Sequence, residues 1–477
     1  MEKRKTLPMS GDYNLDTLLL REGLRAGESF DIIERHITVG ERDACLFYID
    51  GFVKDGEMIK IMQYLISQKK IGTAEELEKI MPYVEVERTS DKAKIMHAVL
   101  SGQTALLCES FGAEAILLDL RTYPARTTSE PESDRVMQGA RDGFVETLVT
   151  NTALIRRRIR DTRLTVEHFD LGGSSGTDVA LCYMKGVADE ETLTDIRKRL
   201  TRVRPKTLTL GTQSLAETLI RRGWYNPFPK IRTTERPDTA AAQLLEGSII
   251  VICDTSPLAM ILPTSIFDYL EETGDFYFPP ITGTYLRAVR VLILLLSVVI
   301  TPLWYLAIEY YEILPDGLRF IVPSDPGAIP IILQLILAEV AIDGLKIASM
   351  NTPDILSNSL SVVGALILGD FAVGVGWLCG DVILYMAFVA IANFAQQNHE
   401  LGYAFKFVRI IILLLVALFG IWGFIAGIIL FILAVVSNTT LSGGHKYLYP
   451  LIPFNGRDFL RLLVRRRKSD FEDAEKE

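Results

Sequence analysis

Between Ile410 and His445 the chain runs for 36 residues without an Asp, Glu, Lys or Arg. About 20 consecutive apolar residues are enough to cross the hydrocarbon core of a bilayer, so this stretch alone exceeds one crossing. Charge is segregated along the whole chain: the first roughly 285 residues mix charged and apolar positions as a soluble protein does. The overall 49% apolar and 23% charged composition therefore averages two unlike halves. The expected fold class is an α/β cytoplasmic N-terminal region of two subdomains followed by an α-helical polytopic membrane domain.

A formal net charge of -9 gives no electrostatic footprint for nucleic acid, and the basic run "RRRIR" at Arg156 to Arg160 reads as a solvated or interdomain helix face. The start "MEKRKTLPMSGDYNLDTLLLREG" is basic but has no apolar core of signal-peptide length, which keeps the soluble part in the cytoplasm. The cysteines Cys45, Cys108, Cys182, Cys253 and Cys379 stand alone, with neither CxxC nor metal-ligand spacing, and the histidines are scattered. That pattern fits buried small hydrophobes in a reducing compartment; no metal and no cofactor is expected. No nucleophile, base and orienting group come together in the sequence, so the chain is not expected to be an enzyme.

The organisation follows from periodicity and breakers. After a lead over 1–29, "DACLFYIDGFVKDGEMIKIMQYLIS" reads as strand, glycine turn and helix, and "TALLCESFGAEAILLDLRTYPAR" as two strands joined by a turn. These place a first α/β subdomain over 30–127. The polar linker "TTSEPESD" leads into "DRVMQGARDGFVETLVTNTALIRRRI", read as one linking helix on which Phe144, Leu148 and Ile155 recur at helical spacing. A second α/β subdomain completes 135–285. Its "LGGSSGT" has no GK[ST] and leads into a strand, so it is a hairpin turn in preference to a phosphate loop. "EGSIIVICDTSPLAMILP" is another hairpin, turning at Asp254 to Pro257.

The membrane domain, 286–445, divides into about six apolar segments near Val289 to Tyr310, Ile329 to Ala348, Leu360 to Cys379, Val382 to Ala395, Val408 to Trp422 and Phe424 to Leu441, the last two also readable as one bent span. Lys and Arg favour the cytoplasmic side. Arg287, Arg290, Lys346, Lys406, Arg409 and the cluster from Arg457 to Lys468 all fall inside if an even number of crossings leaves both termini cytoplasmic. The basic and acidic tail 446–477 then lies in the cytoplasm.

Within the apolar half, "LAEVAIDGLKIAS" carries Glu339, Asp343 and Lys346 at i, i+4 and i+7, which stacks them on one helix face. Asp370 interrupts a further apolar run. A lone carboxylate in a bilayer centre costs about 2.5 to 3.5 kcal/mol on insertion scales. Two readings stay open: local pairing with Lys346, or a polar route attracting cations. The small residues Gly364, Gly369 and Gly374, with Gly420, Gly423 and Gly427, allow close helix packing.

These stretches resemble those of one family, the GerA-type germinant-receptor A subunits of endospore-forming bacteria. The resemblance spans nearly the whole chain and rests on "GARDGFVETLVTNTALIRRRI" from Gly139, "ERPDTAAAQLLEGSIIVICDTSPLAMILPT" from Glu235, "SVVGALILGDFAV" from Ser361 and "YLYPLIPFN" from Tyr447. Glu339, Asp343, Lys346 and Pro353 also fall on a family pattern. Where the family usually has Arg then Glu this chain has Lys346 then Ile347, and Asp370 replaces a usual Gln. Those departures resemble the branch called stage V sporulation protein AF more than a nutrient-receptor subunit. The resemblance implies a multi-pass protein of the spore inner membrane, both termini cytoplasmic. It further implies a homo-oligomer, of pentameric stoichiometry, conducting monovalent cations early in germination, with a small membrane partner subunit and an amplifying role. The competing readings are a nutrient-germinant receptor A subunit, a secondary transporter component, and a signalling scaffold that conducts nothing.

Overall fold

A computed structural model of the chain describes residues 7–123, 139–203, 208–209, 211–220, 226–272, 274–351, 364, 369, 371–396, 398–438, 447–456, 459, 462 and 464. The chain divides into two compact units, one formed by the N-terminal α/β region to Thr264 and the other by 265 onward together with the short segment before Ile231.

The N-terminal unit holds the same arrangement twice. Its first half runs α1 (Tyr13–Leu24), β1 (Ile32–Val39), β2 (Arg42–Ile49), α2 (Asp55–Ser67), α3 (Ala74–Ile80), β3 (Val86–Thr89), α4 (Lys92–Leu100), β4 (Thr104–Cys108) and β5 (Ala115–Leu118). Its second half runs α5 (Leu148–Arg158), β6 (Leu164–Leu171), β7 (Thr177–Met184), α6 (Glu190–Thr201), α7 (Thr212–Leu219), β8 (Arg232–Thr234), α8 (Pro237–Leu245), β9 (Ile249–Cys253) and β10 (Ala259–Leu262). The antiparallel sheets are ordered β1-β2-β4-β5-β3 and β6-β7-β9-β10-β8. Register repeats with order: Ala44 faces Cys108 as Val179 faces Cys253, and Thr89 faces Ala115 as Thr234 faces Ala259. The turns repeat as well. Gly51 and Gly186 both have φ 79°, and Gly102 (φ 93°) matches Gly247 (φ 98°), a left-handed conformation in which a side chain is strained.

Each sheet is covered on both faces, which explains why its central strands read as unbroken apolar runs instead of alternating. "TALLC" in β4 and "IIVIC" in β9 are buried throughout. In β2, Cys45, Phe47 and Ile49 pack under α1 and α4, while Ala44 and Leu46 face α2 and α3. In β7, Ala180, Cys182 and Met184 pack under α5 and α8, while Val179 and Leu181 face α6 and α7. Helix starts follow local chemistry: Asp12, Asp91 and Asp189 cap α1, α4 and α6 through their carboxylates, and Thr73 with Glu76 forms a reciprocal cap on α3, satisfying amides that would otherwise lack partners.

The linking helix is shorter than its periodicity suggests. Phe144 is not helical: its amide donates to Glu235 O at 2.7 Å, and the Asn151 side chain closes a ring with the Val145 backbone at 2.8 and 2.6 Å. Those bonds hold the approach to α5 extended until Leu148, whose amide donates to Asp254 Oδ1 at 2.9 Å. From α5 the run "RRRIR" sends Arg156 inward. Its guanidinium grips Asp31, just before β1, at 2.8 and 3.1 Å and also reaches Ser29 Oγ at 3.2 Å, tying one half to the other.

The second unit is helical. Two of its helices are long and apolar enough to cross a membrane: α10 (Pro280–Glu309), and α13 (His399–Val436). Between them lie α11 (Ile331–Asn351) and the shorter α12 (Gly380–Phe394); α9 (Gly274–Tyr277) precedes α10. At the base of α10, Arg287 bonds Glu271 at 2.9 Å, and Arg290 bonds Asp275 at 3.0 Å. α13 is not straight. Gly420 takes φ 56° and ψ -132°, and the rings of Phe405 and Phe431 lie 5.8 Å apart, where a straight helix would separate those positions by about 39 Å. The segments 399–419 and 421–436 are therefore two arms of a hairpin. Of the expected segment Leu360 to Cys379, residues 360–363, 365–368 and 370 lie outside the described residues.

Candidate functional site: a buried ion cluster among apolar helices

The helical period carries Glu339, Asp343 and Lys346 to one side of α11, and α13 brings Tyr403, Lys406 and Arg409 to meet them. Spacings of three residues put those side chains on one stripe. Arg409 pairs with Glu339 and Lys406 pairs with Asp343. Lys406 also stands 3.6 Å from Glu339 Oε1, so it is shared between the acids. A third helix joins through Arg409 Nη1, which donates to Ser297 O on α10 at 3.1 Å.

Local pairing along α11 is thus not what the structure holds: the ion pairs of Glu339 and Asp343 run to α13. Lys346 instead sets its ammonium 4.9 Å from the centre of the Tyr403 ring, a cation–π placement. Two carboxylates meet two cations, and Lys406 and Arg409, assigned by charge clustering to a cytoplasmic connection, are buried in the cluster. The missed signal was present: Tyr403, Lys406 and Arg409 recur at i, i+3 and i+6, a helical-face spacing as the i, i+4 and i+7 of α11 is.

Burial distinguishes the two acids. Glu339 is 8% exposed at its side chain, Asp343 34%. Glu339 is an internal anchor and Asp343 an edge, its carboxylate reaching the outside of a largely apolar helix. Asp370 lies outside the described residues. Among the glycines, Gly364 packs against the Leu345 side chain of α11, whereas a methyl added at Gly369 or Gly374 would meet nothing within 4 Å. Close approach is found instead inside the hairpin, where Gly423 abuts Leu415 O and a methyl on Gly427 would come within 2.9 Å of Ile412 Cγ1.

Alongside the cluster, Gln334 is fully buried. It donates to Pro326 O and Ile329 O at 2.6 and 2.7 Å and accepts from the Cys379 amide at 2.8 Å. Trp304 Nε1 donates to Ile321 O at 2.7 Å and its ring lies 4.5 Å from that of Tyr385. The Gln334 bonds fix the start of α11 and the start of α12, and with them the face that carries Glu339.

Comparison with known proteins gives one consistent result. A model of the family described as "Bacillus/Clostridium GerA spore germination protein" matches residues 20–476. The chain is 37% identical over 449 residues to stage V sporulation protein AF of Bacillus subtilis (strain 168), covering 93% of this chain and 90% of that one. It is 28% identical to spore germination protein KA of the same organism, covering 92% and 82%. Among solved structures, the N-terminal domain of the A subunit of the Bacillus megaterium spore germinant receptor GerK3 is 26% identical, with a TM-score of 0.41, covering 55% of this chain and 98% of that one.

Proposed function

Because the chain belongs to the GerA family of spore germination proteins, we propose that it is a membrane subunit of an oligomeric assembly that passes monovalent cations across the spore inner membrane during germination. In this reading it spans the membrane several times with both termini cytoplasmic, works beside a small membrane partner, and amplifies ion release.

The observation that carries the proposal is Asp343. A carboxylate one-third exposed on a helix whose other outward residues include Val340 and Ile347 is costly against lipid. It is accommodated where that face meets a neighbouring subunit or a water-filled path. Charged rings at such constrictions select ions by sign, so copies of Asp343 around an assembly would favour cations. Glu339, held by two cations, positions α11 and does not face the path.

Reversal potentials in a salt gradient across reconstituted assemblies test this. Asp343→Asn should lower cation over anion selectivity while leaving oligomer size unchanged; normal selectivity and conductance in that variant would remove Asp343 from the path. One observation favours the scaffold reading: both carboxylates, Glu339 and Asp343, are matched by a cation from another helix, as helix glue would be. On that reading wild-type assemblies of defined size pass no current.

A further inference from the structure

The N-terminal half brings together three donors that the sequence keeps apart. Glu34 and His36 are two residues apart on β1 and leave the same face of the sheet. Cys45 on β2 is the cross-strand partner of His36. A carboxylate oxygen, an imidazole nitrogen and the Cys45 Sγ lie within 4.8 Å of one another, and His36 Nε2 is 2.9 Å from Glu34 Oε1. The other carboxylate oxygen of Glu34 lies 3.3 Å from Arg21 Nε on α1.

Two of the three, Glu34 and His36, line a cavity of about 410 Å³ together with Tyr13, Thr17, Arg21 and Asp43. Cys45 is fully buried, Glu34 partly so, and His36 is exposed. In the same wall the hydroxyls of Tyr13 and Thr17 are buried side by side with no other hydrogen-bond partner.

The second half of the unit is an internal control. Its equivalent histidine, His168, faces Ala180 across the strands and sets Nε2 2.8 Å from Asp178 Oδ1. There the same fold packs with a methyl group where the first half has a thiol. The fold alone does not require Cys45.

We propose that Glu34, His36 and Cys45 form a binding site for a borderline divalent cation of the Zn²⁺ class, with water or Asp43 completing the coordination. Sulfur, nitrogen and oxygen donors together suit that class, at about 2.0 to 2.3 Å from the ion. As the metal–sulfur bond forms, the thiol proton leaves to solvent; thiolate and carboxylate then balance the two positive charges. Arg21 remains on the second carboxylate oxygen and orients the ligand. Chain spacing gave no warning because the donors are joined by strand pairing, not by a CxxC-like turn.

Full-length protein in detergent, titrated with Co²⁺ as the probe, tests the site. The expected result is one Co²⁺ per chain with a thiolate-to-cobalt charge-transfer band, displaced by Zn²⁺. Cys45→Ala, which installs the residue found at the equivalent position 180, should abolish the band. Glu34→Gln and His36→Gln should weaken binding at least as much as the roughly 10- to 100-fold expected for loss of an outer-sphere partner. His36 is exposed, so its substitution reports on the site even if Cys45→Ala does not fold. Absence of the band in the wild type, its survival in Cys45→Ala, or unchanged affinity in His36→Gln would each overturn the assignment.

Discussion

Glu339 and Arg409 are 70 positions apart in the chain and pair inside a helical unit whose surroundings are almost wholly apolar. A buried pair adds little net stability, yet removing one member strands the other at a cost of about 3 to 5 kcal/mol. Glu339→Gln should therefore lower the melting temperature and the yield of monodisperse protein in detergent. Glu339→Gln with Arg409→Met should recover much of the loss. Additive losses in the double variant would mean that the two side chains act independently.

The same asymmetry applies to Arg156, whose guanidinium is fully buried against Asp31. Arg156→Met leaves a buried carboxylate unpaired, and the urea midpoint of the N-terminal unit should fall by the equivalent of several kcal/mol. Asp31→Asn on the same background should restore part of it. An unchanged midpoint in Arg156→Met would show that this contact does not hold the halves together.

Gly420 supplies a backbone conformation, φ 56° with ψ -132°, that only glycine adopts without strain of roughly 1 to 3 kcal/mol. In a chain with Phe405→Cys and Phe431→Cys, oxidative cross-linking between the arms should be efficient. Adding Gly420→Ala should reduce it. Equal cross-linking would mean that packing between the arms, not the turn, dictates the reversal.

Asp119 provides a pH test. Hydrogen bonds from the Arg121 side chain hold its carboxyl below the usual carboxylate range, so the folded state binds that proton less readily than the unfolded chain does. Its stabilising contribution is full above the unfolded value near about 3.9, and is lost as pH falls through the lower folded value. Urea midpoints measured down the acid range should fall less steeply in Asp119→Asn. An identical acid limb would rule out this contribution.

What the sequence made legible followed from burial on both sides. β2, β4, β7, β9 and β10 are apolar runs bounded by turns, and the α/β character of the N-terminal region is visible in them. β1, "IIERHITV", is an edge strand with exposed charges and carries no such signal; β3 and β8, four and three residues long, are shorter than any periodic window. α1 is hidden in the polar lead because it buries Leu20 and Leu24 while leaving Leu15 and Leu18 outside. Phe144 fits the helical spacing of α5, but tertiary bonds to Glu235 and Asn151 override it. The cluster failed for a related reason: stacking rules find partners on one helix, and Lys406 and Arg409 come from another, 63 and 70 positions away from the acids they bind.

Two halves with the same strand order and the same pairing registers pose a problem of self-recognition while the chain folds. A strand such as β4 finds a geometrically acceptable berth beside β7 as well as beside β2, and backbone hydrogen bonds do not distinguish them. Discrimination falls to side-chain volume: Phe47 and Ile49 under α1 and α4, against Cys182 and Met184 under α5 and α8. Substitutions that make these layers alike would leave each sheet sound and still raise the population of chains trapped with strands exchanged between halves. The unlike cores thus act as an address, directing each strand to its own sheet.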